Sequence, residues 1–198
     1  MRRALQHELE SIEFSHLMIE GMEAERRRIA GELHDVVLPL ARDAALAAEI
    51  RSICMKLMPP DLERFSLKDS LAGLCGDFTK RTGIKYSWLM EDELDFSSVS
   101  AEHQLHIYRI VQECFTNIEK HSRSDMASLI VRRNIQDLPG SILICISDDG
   151  QGMRKKPEDS GLGMKIMRQR AVILGARLNF ISESGNGLMV RLELCPPR

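Results

Sequence analysis

Between Leu5 and Leu40 the apolar positions keep to one seam. Leu5, Leu9, Ile12, Ile19, Met22, Ile29, Leu33, Val36 and Leu40, with His16 among them, are spaced mostly by alternating fours and threes, as in a helix that buries one stripe against a partner. Two successive threes, His16 to Ile19 to Met22, break the heptad beside Gly21, and Arg26 then occupies a seam position. Such a stammer overwinds a coiled coil locally. The helix opens without a capping residue, so it is expected to continue from an upstream segment. Arg42 to Met58 is rich in Ala, Leu, Ile and Met and predicts a second helix. It should stop at Pro59 and Pro60, because proline lacks the amide donor and disfavours helix in the residue before it. The double proline is the expected domain boundary, with a helical module over 1–60 and a second domain over 61–198.

Beyond it the period changes. Helices are predicted over 66–82 and 100–121, and a third up to Leu174. Strands are predicted over 84–90, 127–135, 142–147, 177–182 and 188–194. Turn signals at Leu138-Pro139-Gly140 and Gly185-Asn186-Gly187 separate strands rich in β-branched residues. Five strands interleaved with three helices close most simply as a two-layer α/β sandwich. The expected class is α+β, a helical hairpin followed by that sandwich.

Composition narrows the function classes. Hydrophobic residues are 43% and charged residues 28% of 198, and no run approaches the ~18 apolar residues of a membrane span. The five cysteines, Cys54, Cys75, Cys114, Cys145 and Cys195, form no CxxC pair, which disfavours a disulfide framework or thiolate zinc site and fits a reducing cytoplasm. With 27 basic against 29 acidic residues, neither nucleic acid nor a membrane surface is an expected partner. The charged, periodic N-terminal segment does not read as a secretory signal.

Two segments carry candidate chemistry. Glu113, Asn117, Lys120 and His121 fall on one face of the 100–121 helix, while Ile107, Val111, Phe115 and Ile118 can face a core. The apolar run from Ile142 to Ile146 leads into Asp148-Asp149-Gly150-Gln151-Gly152, and Gly161-Leu162-Gly163 opens the next helix. Glycines permit close backbone approach, and a helix N-terminus offers free amides, so the loop can surround phosphates. A carboxylate at the end of a buried strand is costly unless something uses it. On spacing alone, a solvated helix face and a mobile surface loop remain open alternatives.

Taken in order and spacing, RIVQECFTNIEKH (109–121), DDGQGM (148–153), GLGMKIMRQRAVILGARL (161–178) and SGNG (184–187) resemble the nucleotide-binding boxes of the GHKL ATPases. The variant with MRQRA and LGARL resembles the nitrate-sensor type of bacterial sensor histidine kinase, and ERRRIAGELHD (25–35) resembles that family's phosphoacceptor box. The resemblance implies ATP and Mg2+ as cofactors. It assigns Asn117 to the magnesium and Asp148 to the adenine amine. Gly150, Gly152, Gly161 and Gly163 become hinges of an ATP lid carrying Arg154, Lys155 and Lys156. Lys120 and His121 fall near the phosphates, and Gly187 belongs to the last glycine box. His34 becomes the nucleophile and Asp35 its acid-base partner, with Glu113 a second candidate for polarising the phosphate site. The partners implied are a response regulator receiver domain and a second copy of this chain paired through the N-terminal helices. An upstream sensor or membrane region is also implied.

Three departures stand against that pattern. The glutamine five positions after the histidine is replaced by Pro39, and the threonine that precedes such a proline in the larger kinase class is Leu38. With no amide or hydroxyl to hold a water there, a kinase with little or no phosphatase activity is expected, and Pro39 should kink the helix beside His34. Only 25 positions separate His34 from Pro59, short for a matched hairpin, and Leu188 stands where the last glycine box usually carries threonine. A non-catalytic ATP-binding scaffold and an anti-sigma-type serine kinase are the alternatives. Retained Asn117, Asp148 and glycines disfavour the scaffold; His34-Asp35 disfavours the serine kinase. His7, His16, His103 and His106 are expected as ordinary surface histidines.

Overall fold

A computed structural model describes residues 2–58, 60–62, 64–94, 96–97, 99–134, 141–153, 161–182 and 185–194, with side chains from residue 12 onward. The chain divides into two compact units, Met1–Asp61 and Leu62–Arg198. The turn expected at 138–140, the end of the 127–135 strand, Pro59 and Cys195 lie outside the described residues.

In the first unit, α1 (Arg2–Glu32) runs into a five-residue π-turn, Leu33–Val37, then a 3-10 turn, Leu38–Leu40. The expected uninterrupted helix to Leu40 therefore changes gauge at Leu33. Pro39 has no amide for the Asp35 carbonyl. The Leu38 amide instead reaches back five residues to the Leu33 carbonyl, and the proline sits in the first turn of the 3-10 segment, where a missing donor costs little. Of the expected seam, Ile19 is buried, whereas Val36 and Leu40 are 59% and 73% exposed in the single chain; Ala30, outside that seam, is buried as well. Helix α2 (Ala44–Leu57) starts at Asp43, whose carboxylate accepts from the Leu46 amide at 2.9 Å. It buries Ala47, Ile50 and Cys54, with the Cys54 thiol 3.7 Å from the Ala30 carbonyl.

The second unit opens with α3 (Leu67–Thr82), capped by Ser66, whose hydroxyl accepts from the Asp69 amide at 3.1 Å. It ends at Gly83 in the left-handed region, φ 74°. After β1 (Lys85–Met90) comes α4 (Ala101–Asn117), whose first turn bonds Ser100, and a second π-turn, Ile118–Ser122. Strands β2 (Met126–Arg133) and β3 (Ile142–Asp148), helix α5 (Leu162–Ile173), and strands β4 (Arg177–Ser182) and β5 (Leu188–Leu194) complete it. The sheet order is β1-β2-β3-β5-β4. β1 and β2 are parallel, joined by the α4 crossover, and the remaining pairs are antiparallel.

Alternation along the strands sends Leu129, Val131, Ile144, Ile146, Val190 and Leu192 into one core with Leu71, Phe78, Ile107, Val111, Phe115 and Met167 of the helices. The Phe78 and Phe115 rings lie 4.7 Å apart. The opposite face carries the Ser128–Ser147 hydrogen bond and the Arg191–Glu193 ion pair, each 2.7 Å. This is the two-layer α+β sandwich that the patterning predicts. One expectation fails. His106 is not a surface histidine but 4% exposed, and its Nδ1 accepts from the Arg170 guanidinium at 3.0 Å, an arrangement that fits a neutral ring. Every position of α4 from His106 to Val111 is buried, so facial periodicity could not separate inside from outside there.

Cys54, Cys75, Cys114 and Cys145 are free thiols. Burial pushes Cys75 up to about 12 and Cys114 higher still, which makes both poor nucleophiles. Among the described residues no helix is long and apolar enough to cross a membrane.

Candidate functional site

A cavity of about 690 Å³ is lined by the end of α4, the end of β3 with its following loop, and the start of α5. Glu113 and Asn117 lie one turn apart on α4 and both line it; Lys120 and His121 enter from the π-turn. Ile146, Met164, Met167, Phe180, Leu188 and Val190 supply apolar walls. Leu188 thus offers the cavity a hydrocarbon surface where the resemblance called for a hydroxyl.

Asp148 reaches the cavity because the alternation that turns Ile144 and Ile146 toward the helices carries one step further. Burial pushes its carboxyl above the ordinary carboxylate range, and hydrogen bonds from the Gly150 amide, at 2.9 Å, and the Leu188 amide partly offset that rise. A buried acceptor poised in this way gains from a donor that satisfies its charge.

The glycines divide into two groups. Gly152, Gly161 and Gly163 line the cavity. Gly150 and Gly187 stand behind it, where a Cβ at Gly150 would overlap the Ser122 carbonyl and one at Gly187 the Asp148 carbonyl. A Cβ at Gly163 would overlap the Glu113 carboxylate. Gly161 begins α5 with no side-chain cap, so the amides of that first turn are available to an anion. Arg154, Lys155 and Lys156 lie outside the described residues.

For a divalent cation, the Asn117 amide oxygen and the Glu113 carboxylate share one helix face. These hard oxygen donors suit Mg2+. His34 and Asp35 belong to the other unit. His34 Nδ1 lies 2.9 Å from Asp35 Oδ1, with the two side chains 64% and 78% exposed.

Three contributors were missed by sequence reasoning. Gln151 donates its side-chain amide to the His121 carbonyl at 2.6 Å and its backbone amide to the Ser122 carbonyl at 2.9 Å. Asp149 accepts from the amides of Asp125 and Met126 at 3.1 and 3.0 Å, anchoring the loop to the start of β2. The Ser182 hydroxyl accepts from the Met153 amide and donates to the Gly187 carbonyl. The partners of Gln151 and Asp149, and the Met153 amide that Ser182 accepts from, lie more than 20 residues away in the chain, so none of these contacts has a local sequence signal. The apolar walls did have one, in the alternation of β3 and β5.

Residues 102–198 match the family model for the histidine kinase-, DNA gyrase B-, and HSP90-like ATPase. The chain is 31% identical over 211 residues to the sensor histidine kinase MctS of Rhizobium johnstonii, covering 86% of this chain and 43% of that protein. It is 28% identical over 148 residues to the sensor histidine kinase LiaS of Bacillus subtilis, covering 74% and 39%. To the oxygen sensor histidine kinase NreB of Staphylococcus carnosus it is 24% identical over 208 residues, covering 89% and 58%. The chain therefore spans 39% to 58% of the length of these relatives. Among solved structures, the histidine kinase domain of a blue-light activated histidine kinase from Erythrobacter litoralis superposes with a TM-score of 0.60 at 22% identity, covering 98% of this chain and 94% of that one.

Proposed function

We propose that this chain, a relative of bacterial sensor histidine kinases whose residues 102–198 are a histidine kinase-, DNA gyrase B-, and HSP90-like ATPase domain, is an ATP-dependent protein-histidine kinase. It phosphorylates its own His34 and passes the phosphoryl group to an aspartate of a response regulator receiver domain. The observation that carries the reading is the exposed His34 imidazole with Nδ1 on the Asp35 carboxylate at 2.9 Å, in a chain that also holds the cavity around Asn117 and Asp148.

Asp35 accepts the Nδ1 proton in a hydrogen bond, which leaves the Nε2 lone pair outward as the nucleophile. Nε2 forms the N–P bond to the γ-phosphorus as the bridging O–P bond breaks and ADP leaves. The carboxylate stabilises the positive charge that grows on the ring. Asp148 accepts from the adenine amine, Asn117, with Glu113 beside it, would hold the magnesium, and Lys120 and His121 face the phosphates. The open first turn of α5 offers amides to the same phosphates. Magnesium held there would neutralise part of the phosphate charge.

Incubation with γ-labelled ATP and magnesium, followed by acid treatment, tests the reading. Acid-labile label on the protein is the expected result, and acid-stable label or none would overturn it.

The first unit is proposed to pair with a second copy. Phe14, Leu17, Leu46 and Met55 are each more than half exposed there, and two copies of a two-helix segment make a four-helix bundle. Sedimentation equilibrium should show a dimer; a monomer at every concentration tested would refute the pairing. The proposed setting is the cytoplasm, with a sensor or membrane region upstream and no contact of this segment with nucleic acid or membrane.

A further inference from the structure

The π-turn Ile118–Ser122 presents Lys120 and His121 to the cavity, and it is held from two directions. From α3, Arg81 grips Glu119 in a two-pronged pair, Nε to Oε1 at 3.0 Å and Nη2 to Oε2 at 2.7 Å. From the loop after β3, Gln151 takes the His121 and Ser122 carbonyls, the first with its side-chain amide at 2.6 Å and the second with its backbone amide at 2.9 Å. Carbonyls at the end of a helix have no partner within it, so Gln151 serves as a cap supplied from 30 residues away. Gly150 makes the approach feasible, since a Cβ there would overlap the Ser122 carbonyl.

Gln151 also reaches a third segment. Its carbonyl accepts from the Gly185 amide at 3.1 Å, in the loop whose Gly187 packs against the Asp148 carbonyl. One residue therefore ties the segment beside Asp148 to the turn that carries Lys120. Lys120 lies between two held neighbours, Glu119 and His121, so its backbone is fixed while its own side chain lines the cavity.

We infer that Gln151, with Arg81 as a second brace, is the positioning residue for the triphosphate. It keeps Lys120 and His121 within reach of the phosphates by clamping the backbone of the turn that bears them. This rests on the reading of the cavity as an ATP site. A clamp of this kind predicts a selective defect, in which phosphate recognition suffers and adenine recognition through Asp148 does not.

The test is competition by magnesium-ATP and by adenosine against a fluorescent adenine nucleotide on the full chain. Gln151→Ala should weaken ATP by roughly fivefold, the scale of one lost side-chain hydrogen bond, and leave adenosine unchanged. Gln151→Glu sets an acceptor against the His121 carbonyl and should lose at least as much. Arg81→Ala should lose about two- to threefold, as expected of a partly exposed pair, and the double swap Arg81→Glu with Glu119→Arg should restore it. Equal losses for ATP and adenosine would reduce Gln151 to a general stabiliser and overturn the inference, as would unchanged ATP affinity in both Gln151 variants. If the unmodified protein binds ATP no better than adenosine, the ATP-site reading itself has failed, a result separate from any variant.

Discussion

Each unit contains one helix that widens into a five-residue π-turn, and in both the turn carries proposed site residues. Leu33–Val37, with His34 and Asp35, buries none of its residues, and the His34 ring bonds its chain neighbour Asp35. Ile118–Ser122, with Lys120 and His121, buries both ends, and the Ser122 hydroxyl returns to the Ile118 carbonyl at 2.7 Å. Arg81 and Gln151 hold it from outside. Single π-turns are rare and concentrate at functional sites. The difference between these two matches the proposed roles. A segment with few buried contacts can be remodelled at low cost, which suits a group that must travel to a phosphate. A group that binds the phosphates of ATP is better held still.

The comparison breaks most sharply at the nucleophile. His34→Gln should abolish labelling while ATP affinity stays at the level of the unmodified protein, because the ATP cavity is built within the other unit. Acid-labile label persisting in that variant would remove His34 from the mechanism. Asp35→Asn keeps the ring but loses the acceptor for its Nδ1 proton, and labelling should slow by roughly 100-fold. Single-turnover labelling at saturating ATP measures it, and an unchanged rate would transfer the acid-base role to Glu113.

Next in size is the site that must not move. Asp148→Asn replaces one carboxylate acceptor facing an amine, at a cost of about 1 to 3 kcal/mol in ATP binding, which calorimetry reads directly. Burial raises this carboxyl's pKa, so without nucleotide its favourable contribution to stability is complete below the ordinary carboxylate pKa and is lost as pH rises through the raised value. An amine donor favours the charged form. ATP affinity should therefore rise with pH through that raised pKa, and Asp148→Asn should remove this rise. A pH profile shared by both proteins would place the titrating group elsewhere.

Pro39→Ala sharpens the contrast from the mobile side. With an amide restored for the Asp35 carbonyl, α1 should continue as an ordinary helix through His34. We expect severalfold slower labelling at unchanged ATP affinity. The stability change should stay under about 1 kcal/mol, because Pro39 already sits where a first-turn proline is tolerated. Labelling as fast as in the unmodified protein would show that the widened turn plays no part in delivering the imidazole.

Both gauge changes were hard to read from sequence for the same reason. An α-turn and a π-turn differ in which carbonyl each amide reaches, and the spacing of apolar residues barely records that. Pro39 announced an interruption beside His34, but not its form, a π-turn followed by a 3-10 turn. The strands were legible because one face of the sheet is buried, so Leu129 and Val131 alternate with polar or half-buried neighbours, as do Ile144 and Ile146 apart from the buried Leu143. Asp148 stood out as a carboxylate at the end of such a strand. Gln151 did not, since its partners are set by the fold, and His106 was misread because α4 is enclosed on more than the sheet side.

The smallest predicted effect separates the two turns by sign. Arg123 closes the braced turn in the left-handed region, φ 56°, and no other non-glycine residue among those described has a positive φ. A side chain there costs about 1 kcal/mol, because Cβ crowds the following carbonyl. Arg123→Gly relieves this but gives the unfolded chain more freedom to lose, so a net gain of about 0.5 kcal/mol is expected. The exposed turn ends at Leu38 with φ −58°, where glycine offers no relief, and Val36→Gly should lose about 1 kcal/mol. Urea midpoints measured at constant slope give both values. Opposite signs with unchanged ATP affinity would confine Arg123 to closing the turn. If Arg123→Gly stabilises the fold yet weakens ATP binding, the lost guanidinium contributes to nucleotide binding, and Arg123 does more than close the turn.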